Sequence, residues 1–345
     1  MTNIVKQVAG IDVAQDELVV SLGSIDVSIE TNIYAFKTFA NKPTGFAALL
    51  VWISKHSSAD VPVRFIMEAT GVYHEKLAYY LTDQGKQVSI VLPNKISNYV
   101  KTLEIKTVTD KTASQAICQF GLGRKLEIWQ KPKKIFRDLK QLTRERDQIV
   151  AERTIAKNQL HAEQAGAFPN ERSIIRLNQR ISLFNSQEKE IKVEIADAVK
   201  TDEALTQKIN TITSIPGIGK LTATIVVAET NGFELIRSKK QLVSYSGLDI
   251  KEKLSGTSVK GKPRISKKGN RHLRKAMHMP ALTAIRNDER FKAVFVRLVS
   301  KHGIKMKAAV AVQRKLLELI YIVWKTDTKY DKNHLQRTTQ NVQAA

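Results

Sequence analysis

Three acidic residues stand where a carboxylate is costly unless something compensates it. Asp12 lies in Gly10-Ile11-Asp12-Val13, in the middle of the first apolar strand; Glu68 directly follows the apolar run 63–67; Asp110 opens a helix in Val108-Thr109-Asp110-Lys111. A carboxylate inside a buried strand is unfavourable unless it is paired or binds a cation. Ligand sites in sheets of this kind gather at the carboxyl ends of strands, where Glu68 sits. Hard oxygen donors of this type suit Mg²⁺, and two such ions can clamp the attacking and leaving oxygens of a phosphoryl transfer. Taken singly, Asp110 is a helix N-terminal carboxylate facing the dipole, and Asp12 a turn or salt-bridge residue. Only their convergence makes a site.

A second set of residues is cationic. The chain has 345 residues, with 56 Lys and Arg against 33 Asp and Glu, a net charge of +23. From residue 251 onward, 23 Lys and Arg face 6 Asp and Glu, so +17 lies in the last quarter. The densest part, 251–275, includes Lys260, Lys262, Arg264, Lys267, Lys268, Arg271, Arg274 and Lys275. At that density phosphate contact is the favoured reading over a merely solvated basic face, and it makes binding fall steeply with salt. Upstream, Ser214-Ile215-Pro216-Gly217-Ile218-Gly219-Lys220 resembles a helix-hairpin-helix turn. Such a turn offers backbone N–H groups to a DNA phosphate without reading bases.

The elements that must position these residues follow from pattern. Up to about residue 132, strand and helix signals alternate: two short strands over 8–22 around a turn at 14–16, a third at 33–39, helices at 44–55 and 73–84, buried strands at 63–67 and 88–92, and helices at 94–104 and 109–122. That is a mixed α/β layer fold, a sheet covered by helices. Residues 133–205 change character, with few glycines and many charges. Leu139, Leu142, Ile149, Ala156 and Leu160 form a heptad seam with Arg146 and Arg153 as polar entries. After a break at 166–170, Ile174, Leu177, Ile181, Phe184, Ile191 and Ile195 resume it. The seam closes as an antiparallel coiled-coil hairpin within one chain or pairs between chains. Residues 206–330 read as mainly helical, and 331–345 as a mobile polar tail.

Composition excludes other classes. Hydrophobic residues make up 42% of the chain, enough for a real core. The lone Cys118 rules out an intramolecular disulfide and a cysteine zinc cluster. No N-terminal apolar segment reads as a signal peptide, and no stretch is apolar enough to span a membrane. A cytoplasmic nucleic-acid-binding protein is expected.

With these residues in hand the chain resembles a known family. Gly10-Ile11-Asp12, Met67-Glu68-Ala69-Thr70-Gly71 and Thr109-Asp110-Lys111 are similar to the motifs of the RuvC-like (RNase H-like) domain of the DEDD transposases of insertion sequence 110 type, relatives of the Piv invertases. The run from Ser214 to Gly219, Tyr245-Ser246-Gly247-Leu248, Ser255-Gly256 and the segment from Arg264 through Asn270 to Arg274 resemble that family's C-terminal transposase domain. The resemblance implies Mg²⁺ held by Asp12, Glu68 and Asp110, and a nucleophilic Ser255 that forms a covalent phosphoserine link to DNA. It implies nucleic-acid contacts at Pro216, Gly217, Gly219, Lys220, Lys260, Lys262, Arg264, Lys267, Lys268, Asn270, Arg271 and Arg274. It also implies a structured bridge RNA that pairs with donor and target DNA, homodimers that join into tetramers, and a bacterial or archaeal, nucleoid-associated setting. Pairing would then carry sequence specificity while protein reads backbone and shape.

One residue departs from the family. A fourth acid is expected three positions after Asp110, where the two would share a helix face; here it is Ala113. Alanine neither ligates metal nor acts as a base. It reads first as an engineered inactive variant and second as a naturally decayed copy, and in both cases cleavage is expected to be weak and binding retained. The rivals are a Holliday-junction-type hydrolytic nuclease, which needs no Ser255; a non-catalytic RNA- and DNA-binding scaffold; and, least favoured, a tyrosine recombinase using Tyr245.

Overall fold

The computed structural model describes residues 4–331 apart from 70, 104–106, 108, 235, 253, 256–258 and 261–263, and the backbone alone of 254, 255, 259 and 260. Lys262, Gly256 and the tail 332–345 therefore lie outside the described residues. The chain divides into two compact units, 1–131 and 132–345.

The first unit runs β1 (Ile4–Val13), β2 (Glu17–Asp26), β3 (Thr31–Ala40), α1 (Pro43–His56), β4 (Val63–Glu68), α2 (Glu75–Asp83), β5 (Gln87–Val91), α3 (Pro93–Val100) and α4 (Asp110–Leu122). Its five strands lie in the order β3-β2-β1-β4-β5. The first three form an antiparallel meander, and β4 and β5 run parallel to β1. That order and sense are those of an RNase H-like sheet, an α/β unit of the RuvC-like kind. Alternation along the strands sends one set of side chains to each face. Ala9, Ile11, Val13, Phe65, Met67 and Val88 pack against Phe46, Leu49, Trp52, Leu77 and Leu81 of α1 and α2. Val8 and Ile66 pack on the other face against Ile117, Cys118, Phe120 and Leu122 of α4. Burial on both faces explains why the central strands read as apolar runs rather than alternating ones.

Two expectations are corrected. The first strands are ten residues long, not short, so Asp12 is the penultimate residue of β1 rather than its middle. Lys6, within the added part of the strand, donates its ammonium to the carbonyls of Leu122 at 3.2 Å and Arg124 at 2.6 Å, and to that of Gly121, so it serves carbonyls at and just beyond the end of α4. The helix expected over 94–104 ends at Val100.

The second unit runs α5 (Lys134–Ala165), α6 (Glu171–Lys200), α7 (Glu203–Ile212), α8 (Lys220–Glu229), α9 (Lys239–Ser246), four two-residue strands β6 (Ile250–Lys251), β7 (Leu254–Ser255), β8 (Val259–Lys260) and β9 (Arg264–Ile265), then α10 (Arg271–Ala276), α11 (His278–Asn287), α12 (Glu289–His302) and α13 (Lys305–Thr326). Helices α5 and α6 form an antiparallel hairpin whose open ends join the unit's core through Phe136, Leu139, Ile191, Ile195 and Val199. Phe168, at the hairpin's turn, is 96% exposed. Between Phe184 and Ile191 the seam position is Glu188, which is buried. It accepts from Lys192, one turn on in its own helix, at 2.8 Å, and from the two polar entries of the facing helix, Arg146 at 2.8 Å and Arg153. Burial works to raise the Glu188 carboxyl, but these three cations outweigh it and hold its pKa at about 2. Removing one partner of such a layer would leave the others as uncompensated, largely buried charges.

Candidate nucleic-acid-processing site

The acidic site is built by the way α4 lies on the sheet. Gly10 and Ile66 are register partners on β1 and β4, as are Ile11 and Met67. One residue further on, Asp12 and Glu68 sit level and share the face that Gly10 and Ile66 occupy. Gly10 lets α4 come close: a Cβ there would stand 2.5 Å from the Ser114 carbonyl oxygen and nearer still to the Cys118 backbone nitrogen. The Cys118 thiol donates to the Val8 carbonyl at 3.3 Å, and the hydroxyls of Ser21 and Ser114 are 2.8 Å apart. Gly121 lies over Val8 and Ile66. Helix α4 thus runs from Gly121 over Val8, through Ser114 and Cys118 over Gly10, and its first turn reaches the end of β1 that carries Asp12.

That first turn carries Asp110. Its free N–H groups are closed by a reciprocal cap: Thr109 Oγ1 accepts from the Thr112 N–H at 3.2 Å, and Thr112 Oγ1 accepts from the Thr109 N–H at 2.7 Å. The exposed Asp110 carboxylate is therefore not needed as a cap. Asp12 registers both neighbours. Burial first, then the charges of Asp110 and Glu68, push its carboxyl above the usual range, against a lowering hydrogen bond from the Val13 N–H. Like charges brought together in a half-buried place raise a carboxyl's pKa in this way. Among the described residues, no three His, Cys, Asp or Glu side chains lie close enough together to hold a metal ion as they stand. Ala113, half-buried one turn after Asp110, adds only a methyl group.

The second unit carries the serine and the basic segment. β6 pairs antiparallel with β9, and β7 with β8, so these four strands nest as one β-arm. Ser255 pairs with Val259 at its outermost described rung. The base of the arm is clasped: Ser266 Oγ donates to the Asp249 carboxylate at 2.6 Å, and the Ser266 N–H to the Asp249 carbonyl at 2.8 Å. Gly247, in the left-handed region at φ 68°, turns the chain out of α9.

Sequence reasoning missed the group that holds this base. The Glu229 side chain, at the end of α8, is fully buried. It accepts a fork from Arg144 at 2.7 and 3.0 Å and the Asn270 amide at 2.6 Å, while its own backbone carbonyl accepts the Tyr245 hydroxyl at 3.0 Å. Burial works to raise the Glu229 carboxyl, but the hydrogen bonds from Arg144 and Asn270 and the Arg144 charge more than offset it, leaving its pKa below the usual range. Asn270 also caps α10 by accepting from the His272 and Leu273 N–H groups at 2.9 and 3.2 Å. Arg274 donates to the carbonyls of Ser246 at 2.7 Å and Gly269 at 3.1 Å.

The expected nucleic-acid contacts therefore divide. Arg264, Lys267, Lys268 and Arg271 are exposed around the base of the arm, as are Gly219 and Lys220 at the start of α8. The backbone of Lys260 lies in β8. Asn270 and Arg274 are committed to internal hydrogen bonds. Pro216 and Gly217 are half-buried, and a Cβ on Gly217 would stand 2.5 Å from the Pro280 carbonyl of α11. The Tyr245 hydroxyl is engaged with a backbone carbonyl, and burial first of all pushes its pKa up, the opposite of an activated nucleophile.

The strand order β3-β2-β1-β4-β5, with Asp12, Glu68 and Asp110 carried toward one end of the sheet, fits the class of nucleic-acid-processing enzymes built on an RNase H-like unit. Comparison with known proteins agrees. A family model for a DEDD transposase of the IS110 type matches residues 9–169, and one described as "Transposase IS116/IS110/IS902 family" matches residues 209–295. The "Pilin gene-inverting protein" of Moraxella lacunata is 29% identical over 337 residues, covering 95% of this chain and 98% of that protein. Its counterpart in Moraxella bovis is 29% identical over 310 residues, 88% and 93% of the two chains. The "Transposase for insertion sequence element IS1111A" of Coxiella burnetii is 24% identical over 287 residues, 74% and 76% of the two chains. The chain belongs to the IS110-type DEDD transposase family, an enzyme class of DNA recombinases and transposases. Among the described residues no helix is long and apolar enough to cross a membrane.

Proposed function

We propose that this chain is an RNA-guided DNA recombinase of an insertion sequence, cutting and rejoining donor and target DNA through Ser255. What supports the reading is placement: β1, β4 and the first turn of α4 carry Asp12, Glu68 and Asp110 toward one end of the sheet, where burial first, and then the charges of Asp110 and Glu68, raise the Asp12 carboxyl. Carboxylates that repel one another are a donor set of the right kind for Mg²⁺. Bound there, the ion would supply Lewis acidity and offset the charge that develops on the reacting phosphate.

The chain's own groups do the rest. The Ser255 hydroxyl attacks the scissile phosphorus, a phosphoserine bond forms, and one phosphodiester P–O bond breaks. The serine proton leaves to a carboxylate or water, and the departing DNA oxygen takes a proton. One ester replaces another, so the reverse step with a different DNA hydroxyl rejoins strands without ATP. Arg264, Lys267, Lys268 and Arg271, exposed beside the arm, suit contacts to the flanking phosphates. A bridge RNA supplies target and donor choice by pairing. Homodimers joining into tetramers, held through the α5–α6 hairpin as a coiled coil, bring the two units of different chains together in the cytoplasm, at the nucleoid.

Ala113 removes the fourth acid, and cleavage by this chain is accordingly weak. The test is to restore the acid. Ala113→Asp in the full chain, with the element's non-coding RNA and labelled donor and target DNA, is expected to cut only when Mg²⁺ is present, and to lose its sequence choice when RNA is omitted. Ala113 also favours one second reading, a binding scaffold. Tight RNA binding with no cleavage after Ala113→Asp would establish the scaffold and refute the recombinase.

A further inference from the structure

A second cationic surface, outside the basic segment, is a helix corner. From 290 to 317 the chain holds eight Lys and Arg and no Asp or Glu. Helix α12 ends and α13 begins within this stretch, and residues 301–307 are seven consecutive exposed residues: Lys301, His302, Gly303, Ile304, Lys305, Met306 and Lys307. Among the described residues, Arg297, Lys301, Lys305 and Lys307 form no ion pair. Their charges are instead left facing solvent and one another.

Apolar side chains accompany them. Ile304 is 56% exposed, Met306 57% and Val296 54%. The fold has no use for them there. The adjoining turns of α13 send Ala308, Ala309 and Val312 into the core, and Gly303 closes α12 at φ 69° in open space. Exposing these three apolar groups among cations lowers solubility without stabilising anything, unless a partner that is both anionic and apolar covers them. The phosphates and base edges of duplex DNA meet both demands. Ile and Met are among the side chains that wedge between base steps while neighbouring cations hold the backbone.

We propose that the α12–α13 corner, Arg297 to Lys307, is a second duplex-DNA contact. In it Lys301, Lys305 and Lys307 engage phosphates, and Ile304 and Met306 form an apolar wedge against the groove. It lies outside both the arm and the α7–α8 turn, and it rests on the recombinase reading for its partner. A wedge of this kind bends the duplex, and pyrimidine–purine steps yield most easily. The corner therefore adds a preference for deformable sequence that base pairing with an RNA does not supply.

The test uses the full chain and a fluorescently end-labelled duplex. A triple Lys301→Gln, Lys305→Gln, Lys307→Gln variant is expected to flatten the slope of log affinity against log salt by about 2.7, at roughly 0.9 per phosphate contact. A double Ile304→Ser, Met306→Ser variant is expected to keep that slope and lose the bend read by energy transfer between the duplex ends. All five positions are exposed, so thermal unfolding is expected to stay unchanged in both variants. An unchanged slope in the triple variant, with the unaltered chain binding DNA, overturns the corner proposal alone. Loss of binding to phosphatidylserine vesicles or to duplex RNA, with DNA binding intact, assigns the corner to that partner and overturns it likewise. No DNA binding by the unaltered chain refutes the recombinase reading and this one with it.

Discussion

The approach of α4 to the sheet is the feature on which the acidic site depends, and Gly10→Ala tests it. A Cβ at residue 10 meets only backbone, the Ser114 carbonyl at 2.5 Å together with the Cys118 nitrogen and Cα, so no side-chain rotation relieves it. Ordinary contact begins near 3.4 Å, and α4 must retreat by about 1 Å. Overpacking of this kind costs roughly 1–3 kcal/mol. For a unit of this size that lowers the melting temperature by roughly 4–12 °C. Thermal unfolding of the full chain, followed by the fluorescence of Trp52 and Trp129 in a Trp324→Phe background, reads it. Asp110 rides on the displaced helix, and a misplacement of about 1 Å lowers a rate on the order of 100-fold. In the Ala113→Asp background, Mg²⁺-dependent cleavage should fall by that factor while DNA binding persists. Gly123→Ala is the control: its φ is −78° and the nearest atom to the added Cβ is 3.7 Å away, so stability and cleavage should hold. A Gly10→Ala protein that melts within 1 °C of the parent and cuts as well would refute the close approach, and with it the way Asp110 is brought to Asp12.

Other perturbations test other parts. Asp12→Asn removes a charge that burial and two neighbouring carboxylates disfavour. A raised carboxyl costs stability once ionised and returns it as pH falls through the folded-state pKa. The variant should therefore melt higher than the parent at neutral pH without divalent cation and lose any rise on adding Mg²⁺; a lower melting point refutes the crowding. Glu188 is the reverse case. Its pKa is lowered from 4.5 to about 2, so its contribution is complete above pH 4.5 and disappears as pH falls toward 2. Glu188→Gln should abolish that step in the helical signal and, with Arg146 and Arg153 each about 20% exposed, cost roughly 2 kcal/mol at neutral pH, less than for a fully buried pair. Glu229→Gln leaves Arg144 without its fork and should cost roughly 2–3 kcal/mol, since Arg144 keeps 42% of its side-chain surface exposed. It should also loosen the arm, read as faster hydrogen exchange over 249–266.

The strands and helices of the first unit could be read in the sequence because burial on both faces leaves apolar runs, and Pro and Gly end them. The ends could not. The first strand was read from residue 8, yet it begins at Ile4, and Lys6 within it sends its ammonium to carbonyls 115 to 118 residues away. The three acids stood out by type, but their convergence depends on Gly10, an absence of side chain that no periodicity signals. The hairpin's helices were visible in the heptads. Glu188 was not, because it interrupts the apolar seam it completes with Arg146 and Arg153. In the second unit the two-residue strands around Ser255 are too short for any pattern, and the Glu229–Arg144 pair spans 85 residues. Glu229 had one available signal, an acid at the end of the apolar run 221–228.

The central claim is that a serine of the β-arm becomes covalently joined to DNA. The full chain, Ala113→Asp, and Ala113→Asp with Ser255→Ala should each be incubated with the element's RNA, Mg²⁺ and labelled donor and target DNA, then resolved on a denaturing gel. The account predicts a slow-migrating protein–DNA adduct with Ala113→Asp that disappears with Ser255→Ala. Cleaved DNA free of protein, undiminished by Ser255→Ala, would contradict it and identify a hydrolytic nuclease instead.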